Sequence, residues 1–241
     1  MSKNITPYKD SELSKKEQVT LMFDRIAQKY DGLNRVLSLG LDKGWRKKIV
    51  ALVRAQNAVD ILDVATGTGD VAIALSNIPT AKINAVDLST QMLAVQAEQL
   101  EKLKLNNRIT LGVADAENLP FDTQFDAVTV AFGIRNFAHL EKGLGEMHRV
   151  LRSQGCLYIL ETSRPKKFLM RQAHFVMSRI VIPLLGTVFA EDKSAYAYLG
   201  ESASHFPDGE IMCNKLREIG FTTVKHKPLT GGVVSLYIAQ K

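Results

Sequence analysis

The sequence predicts an α/β fold: a mostly parallel sheet of seven strands with helices packed on both faces. Two observations predict it. Short apolar runs alternate with segments of helical periodicity from about residue 59 onward. The strand-to-helix alternation implies a parallel sheet buried on both faces. The first of the apolar runs ends in a glycine turn, "ATGTGD", that opens a helix.

In chain order, "VDILDV" (59–64) is the first strand and "DVAIALSN" the helix after its glycine turn. "KINAVD" (82–87) is the second strand. Ser89 is placed to cap the next helix, "TQMLAVQAEQLEKLKL", because its hydroxyl can accept a free N–H of the first turn. "RITLGVA" (108–114) and "FDAVTVAFG" (125–133) are strands three and four. The helix "LEKGLGEMHRVL" leads to strand five, "GCLYILET" (155–162). Strand and helix alternation of this kind builds right-handed βαβ units. The rhythm breaks over residues 164–206, a helical stretch punctuated by Pro165 and Pro183. It resumes with the helix "DGEIMCNKLREIG", for which Gly220 supplies the C-terminal cap. Two strands close the chain, near "FTTVKHKP" and "VVSLYIAQ". The expected organisation is a single domain over 1–241, with a helical N-terminal extension (1–58) and a helical insertion (164–206). There is no internal repeat.

Composition narrows the classes. Of 241 residues, 46% are hydrophobic and 23% charged, as in ordinary globular proteins. No run of uncharged apolar residues is long enough to span a bilayer, and the N-terminus has no apolar signal core. Cys156 and Cys213 read as reduced cytosolic thiols without metal-ligand spacing. The expected location is therefore cytoplasmic. The net charge of +6 is uneven: residues 1–50 hold eleven Lys/Arg against six Asp/Glu. A second basic stretch, "SRPKKFLMRQAHFVMSR" (163–179), interleaves cations with large apolar residues. A solvated face is the plain explanation. An interfacial helix on the inner face of the plasma membrane suits the mixture better than nucleic acid does.

The glycine turn carries the first functional signal. Gly67, Thr68 and Gly69 let backbone approach a ligand at a helix N-terminus. Gly67, Gly69 and Ala72 also fit the dinucleotide spacing G-x-G-x-x-A. The acids argue against a pyrophosphate, because Asp70 follows the turn directly and Asp63 precedes it. S-adenosyl-L-methionine (SAM), with a sulfonium and an ammonium group, fits better. Asp87, at the end of strand two, can accept both ribose hydroxyls. After strand three, Asp115 can accept from the adenine amino group, and the Ala116 N–H can donate to a ring nitrogen. Taken singly, each acid could be a helix cap or turn residue. Their order at successive strand ends resembles the Rossmann-like fold of class I SAM-dependent methyltransferases. Ala65 departs from that broad pattern, which usually has glycine there.

Seven stretches then stand in order: "YDGLNRVLSLGLDKGWRKKIV" (30–50), "DVATGTGD" (63–70), "AENLPF" (116–121), "FGIRNF" (132–137), "EMHRVLRSQG" (146–155), "YAYLGESASHFPDGE" (196–210) and "LTGGVVSLYIAQ" near the end. Together they resemble the quinone C-methyltransferases of menaquinone and ubiquinone biosynthesis, over nearly the whole chain from about residue 18. Alanine at position 65 is ordinary in that family. This chain has "LETSRP" where some members have "LEFSKP", and Ala131 where some place a serine against SAM.

The resemblance implies methyl transfer from SAM to a ring carbon of a polyprenylated hydroquinone: demethylmenaquinol, or a 2-polyprenyl-6-methoxy-1,4-benzoquinol in the ubiquinone branch. A ring carbon becomes nucleophilic when a neighbouring phenol loses its proton, so the site must favour a phenolate. Arg135 and Asn136, where strand four ends, are the catalytic candidates, with Asp31 as a third. The competing role for Arg135 is an ion pair with Asp31 or Glu161. Tyr30, Asn34 and His205 are the substrate-side candidates, the first two on a segment expected to fold over the site as a lid. Core packing, helix capping and a surface position compete for those three. Trp45 suits a headgroup layer or a core equally. The stripes "FLM", "FVM" and "IVIPLLGTVF" in 164–190 would cover the isoprenoid tail, with ordinary core or a homodimer contact as the competing roles. The rival classes are an NAD-dependent oxidoreductase, a non-catalytic SAM-binding protein and a nucleic-acid methyltransferase. The last lacks the "NPPY"-type loop, since "GIRN" stands in its place.

Overall fold

A computed structural model describes residues 5–165 and 193–241. Two helices precede the sheet, α1 (Lys15–Leu37) and α2 (Asp42–Ala55). There follow β1 (Asp60–Val64), α3 (Asp70–Leu75), β2 (Lys82–Asp87), α4 (Thr90–Leu103), β3 (Ile109–Val113), β4 (Phe125–Ala131), a 3-10 turn (Ile134–Asn136), α5 (Leu140–Val150) and β5 (Leu151–Thr162). The chain ends with α6 (Lys193–His205), α7 (Glu210–Ile219), β6 (Thr223–Leu229) and β7 (Val234–Gln240). The apolar stripes expected to cover the isoprenoid tail lie outside the described residues. So does most of the expected 164–206 insertion, of which α6 forms the C-terminal part.

The seven strands form one sheet in the order β3-β2-β1-β4-β5-β7-β6. β1 to β5 run parallel, and β7 is antiparallel to both β5 and β6. The chain winds outward from β1 to β2 and β3, then returns to β4 on the other side. The strand order therefore switches between β1 and β4, and a crevice opens there at the carboxyl ends of the strands. Pro228 lies in β6, an edge strand, where a missing N–H costs no ladder bond.

The period-two alternation of β4 feeds two cores. Val128 and Val130 face α5 and α7, packing with Leu144, Met147 and Leu216. Ala127 faces the other side, with Ile49 and Val53 of α2, Leu75 of α3 and Leu100 of α4. Local signals end the helices as expected: Met92 N donates to Ser89 Oγ at 3.1 Å, and Gly220 closes α7 at φ +116°. Trp45 belongs to the second core. Its ring packs on Phe132, and Nε1 donates to Thr230 Oγ1 at 2.8 Å. α1 lies outside both layers and packs on α4 and α6 through Met22, Ile26, Met92 and Tyr198.

Candidate functional site

A cleft lies where β1 and β4 part, roofed by α1. Its floor is the turn between β1 and α3. Ala65, Gly67 and Gly69 adopt φ of +51°, +58° and +91°. A Cβ on Gly69 would stand 2.4 Å from Gln96 Nε2, so both the backbone conformation and the space require glycine. At the neighbouring strand end, a Cβ on Gly133 would come within 2.7 Å of the Ala65 Cβ. The two strand ends therefore touch, and residue 65 has to be small.

Asp87 fixes this floor. Oδ2 accepts Gly67 N at 2.8 Å and Oδ1 accepts Ser89 N at 2.9 Å. Burial raises its carboxyl above the usual range, while these backbone donors work to lower it. At the other side of the cleft, Asp115 Oδ1 accepts Glu117 N at 2.9 Å and Oδ2 receives Lys16 Nζ of α1 at 2.5 Å. Thr68 donates to Asp31 Oδ1, and Gln99 Nε2 donates to Asp31 Oδ2 at 2.9 Å. Asp31 thus clasps α1 to the glycine turn and to α4.

Asp63 is buried under the turn, where Thr66 donates to it at 2.7 Å and Thr129 at 2.5 Å. Burial outweighs those hydrogen bonds and pushes its carboxyl up to about 6. Asp70 is not the bare carboxylate the sequence suggests: Arg46 Nη2 stands 2.6 Å from it, and Arg46 Nη1 also pairs with Asp42 at 2.6 Å. The case against a pyrophosphate that rested on Asp70 therefore weakens.

The rest of the lining is aromatic and amide-bearing: Phe23, Tyr30, Asn34, Phe132, Asn136 and Phe137. The buried Asn136 Oδ1 has no hydrogen-bond partner among the described residues. Arg135 stands behind this wall. Its Nη1 donates to Glu161 Oε1 at 2.7 Å and to Phe132 O at 2.6 Å, while Nε has no partner among the described residues. Of the two acids considered from sequence, Glu161 is the partner. Tyr30 and Tyr198 lie in the field of Arg135. Burial raises both phenols, Tyr198 to about 12, against the pull of that guanidinium. Tyr198 Oη also has no partner among the described residues.

Of the residues proposed from sequence, Gly67, Thr68, Asp87, Asp115, Ala116, Tyr30, Asn34 and Asn136 line one cleft. Gly69, Asp63, Asp31 and Arg135 support its walls from behind. His205 is exposed at the end of α6, with Nδ1 against Glu201 O at 2.9 Å, and does not line the cleft. Sequence reasoning missed Lys16, Arg46 and Phe23, whose approach is purely tertiary. It also missed Tyr198, although that residue sits inside "YAYLGESASHFPDGE".

The donor set fits SAM. Asp87 and Asp115 each keep acceptor capacity beyond the bonds described, and the left-handed turn leaves backbone open to the cleft.

A family model described as the ubiE/COQ5 methyltransferase family matches residues 11–241. A demethylmenaquinone methyltransferase of Bacteroides fragilis is 45% identical over 239 residues, covering 98% of this chain and 97% of the relative. One from Porphyromonas gingivalis is 42% identical, covering 98% of each. A ubiquinone/menaquinone biosynthesis C-methyltransferase of Geotalea uraniireducens is 41% identical over 94% of this chain and 97% of its own length. Among solved structures, an O-methyltransferase family protein of Burkholderia thailandensis superposes with a TM-score of 0.66 at 12% identity, over 94% of this chain and 62% of that one. Phosphoethanolamine N-methyltransferase 2 of Haemonchus contortus, solved with SAM, gives 0.56 at 18% identity over 76% and 48%. These two likenesses concern the fold.

Proposed function

The chain belongs to the ubiE/COQ5 methyltransferase family, and from that premise we propose that it methylates a ring carbon of demethylmenaquinol with SAM. One observation carries the reading. A single cleft is lined by the glycine turn and its acids together with aromatic side chains and a buried Asn136 carbonyl that has no partner among the described residues. A nucleotide and a ring with oxygen substituents need those two chemistries side by side.

SAM supplies the electrophilic methyl group. The chain's own residues bind and orient. Asp87 accepts the ribose hydroxyls, and Asp115 with the Ala116 N–H reads the adenine edge. Asp31 acts through Thr68, holding α1 as a lid over the turn. On the substrate side, Tyr30, Asn34 and the Asn136 amide contact the quinol oxygens. Burial keeps Tyr30 protonated, so it donates. Arg135 is partly offset by Glu161, and the positive field it still exerts on Tyr30 and Tyr198 favours a phenolate over a phenol. The aromatic walls exclude water from the ring carbon.

The ubiquinone branch remains a second reading because the Geotalea relative's name covers both quinones. The test is incubation with SAM and either a demethylmenaquinol or a 6-methoxy-benzoquinol, followed by mass spectrometry of the lipid extract. Methylation of the naphthoquinol at the higher kcat/KM is expected. Preference for the benzoquinol reverses the assignment, and methylation of neither ends it.

The proposal includes peripheral contact with the inner face of the plasma membrane, since the substrate's tail is lipid. No helix among the described residues is long and apolar enough to cross a bilayer.

A further inference from the structure

The turn between α1 and α2 presents two adjacent apolar side chains to solvent. Leu39 is 73% exposed, the largest exposure of any large apolar side chain among the described residues, and Leu41 is 46% exposed. Leu39 also holds φ +51°, a conformation better suited to glycine or asparagine. Neither packing nor backbone geometry asks for leucine there.

The corner is braced. Ser38 Oγ donates to Asp42 Oδ1 at 2.6 Å, Asp42 pairs with Arg46, and Arg46 pairs with Asp70 at the start of α3. The exposed charges flanking it in the chain are cationic, while the nearby Asp70 is paired with Arg46. Arg35, Lys43, Lys47 and Lys48 are exposed, and the only acid between Asp31 and Asp60 is the buried, paired Asp42. Lys43 and Lys47, one turn apart, share a face of α2. Asn34, five residues before Leu39, and Arg46, five after Leu41, both line the cleft. The corner therefore stands at the cleft's rim.

We propose that the α1–α2 corner docks on an anionic bilayer, with Leu39 and Leu41 entering the headgroup layer and the lysines of α2 contacting lipid phosphates. This rests on the reading of the substrate as a lipid-tailed quinol. The surface would let the tail stay in the bilayer while the ring enters the cleft. A basic rim around an apolar tip is the chemistry such a surface recognises.

The test uses the full chain in co-sedimentation with phosphatidylglycerol or phosphatidylcholine vesicles. Leu39→Asn with Leu41→Ser removes the apolar tip while suiting the left-handed position. Lys43→Glu with Lys47→Glu reverses charge. Lys102→Glu with Leu103→Ser, on an exposed basic and apolar spot at the far end of α4, is the control.

Expected is binding to phosphatidylglycerol alone, weakened about tenfold by either corner pair and unchanged in the control. All variants should methylate a short-chain, water-soluble quinol at the parent rate without vesicles. Absence of vesicle binding, or corner variants that bind as tightly as the parent, overturns the proposal. So does light scattering in which Leu39→Asn/Leu41→Ser converts a dimer to a monomer, since the tip then faces a second copy. If vesicles bind through the corner but no quinol is methylated, the substrate reading fails and the surface stands. If the short-chain quinol is methylated while vesicles are ignored, the surface fails alone.

Discussion

Glu161 Oε1 stands 2.7 Å from Arg135 Nη1, and the Glu161 side chain has no exposure at all. A pair this buried cannot lose one member cleanly. Arg135→Ala leaves an uncompensated carboxylate and is expected to cost about 3–5 kcal/mol of stability. Loss of turnover in that variant alone would therefore mean little. The informative variant is Arg135→Met with Glu161→Met, which removes both charges in similar volume. It is expected to recover most of the stability in urea unfolding, to bind SAM like the parent and to transfer methyl groups at least about a hundredfold more slowly. Parent-like turnover in the double variant would show that the pair only fixes loop geometry.

Tyr198 offers a cleaner separation. Its hydroxyl is buried, has no partner among the described residues and lies in the field of Arg135. Tyr198→Phe removes an unsatisfied polar atom, so unfolding stability should hold or rise, by about 1 kcal/mol or less. If that hydroxyl meets a quinol oxygen, kcat/KM for the quinol should fall about tenfold with SAM affinity unchanged. A variant that is more stable and fully active would leave the hydroxyl without a function.

The cofactor half of the site was far more legible in the sequence than the substrate half. Asp87, Asp115 and the glycine turn are set by strand ends, and strand ends are set by local apolar periodicity. Arg135 and Asn136 were visible as polar residues closing a buried strand. Whether Arg135 met Asp31 or Glu161 was not visible, because those acids lie on α1 and β5 and only the folded arrangement separates them. Lys16 and Phe23 reach the cleft across the α1–α4 packing, a contact no local pattern encodes. Asp70 misled for the same reason: its partner Arg46 lies on another helix.

Asp87 accepts Gly67 N and Ser89 N, so it shapes the turn as well as facing the cleft. Asp87→Asn keeps one acceptor oxygen and turns the other position into a donor facing a backbone N–H. SAM should bind about 10–100-fold more weakly by calorimetry, the cost of one or two charge-assisted hydrogen bonds. Quinol KM at saturating SAM should change little. Unchanged SAM affinity would remove Asp87 from the cofactor site.

Gly69 separates space from backbone conformation. Gly69→Ala meets Gln96 at 2.4 Å and also strains a left-handed residue at φ +91°. Unfolding measurements should show a loss of about 2–4 kcal/mol. Adding Gln96→Ala clears the overlap but not the strain, so about 1 kcal/mol or more should remain lost. Full recovery in the double variant would mean that the left-handed turn relaxes.

Asp63 makes a prediction about pH. Its carboxyl is pushed up to about 6 by burial, against an ordinary value of 3.8. Between those values the folded protein binds more protons than the unfolded one, so this group lowers stability as pH rises through the window. The penalty is absent below the unfolded value and complete above about 6. Its full size is about 3 kcal/mol, because ionisation in the folded state is roughly a hundredfold harder than in the unfolded chain. Asp63→Asn keeps an oxygen for one of the two threonines and carries no charge. The stability difference, variant minus parent, should therefore grow by about 2–3 kcal/mol between pH 4 and pH 7 in urea titrations. A difference that stays flat across that range would mean Asp63 ionises at its ordinary value, with Thr66 and Thr129 fully offsetting its burial.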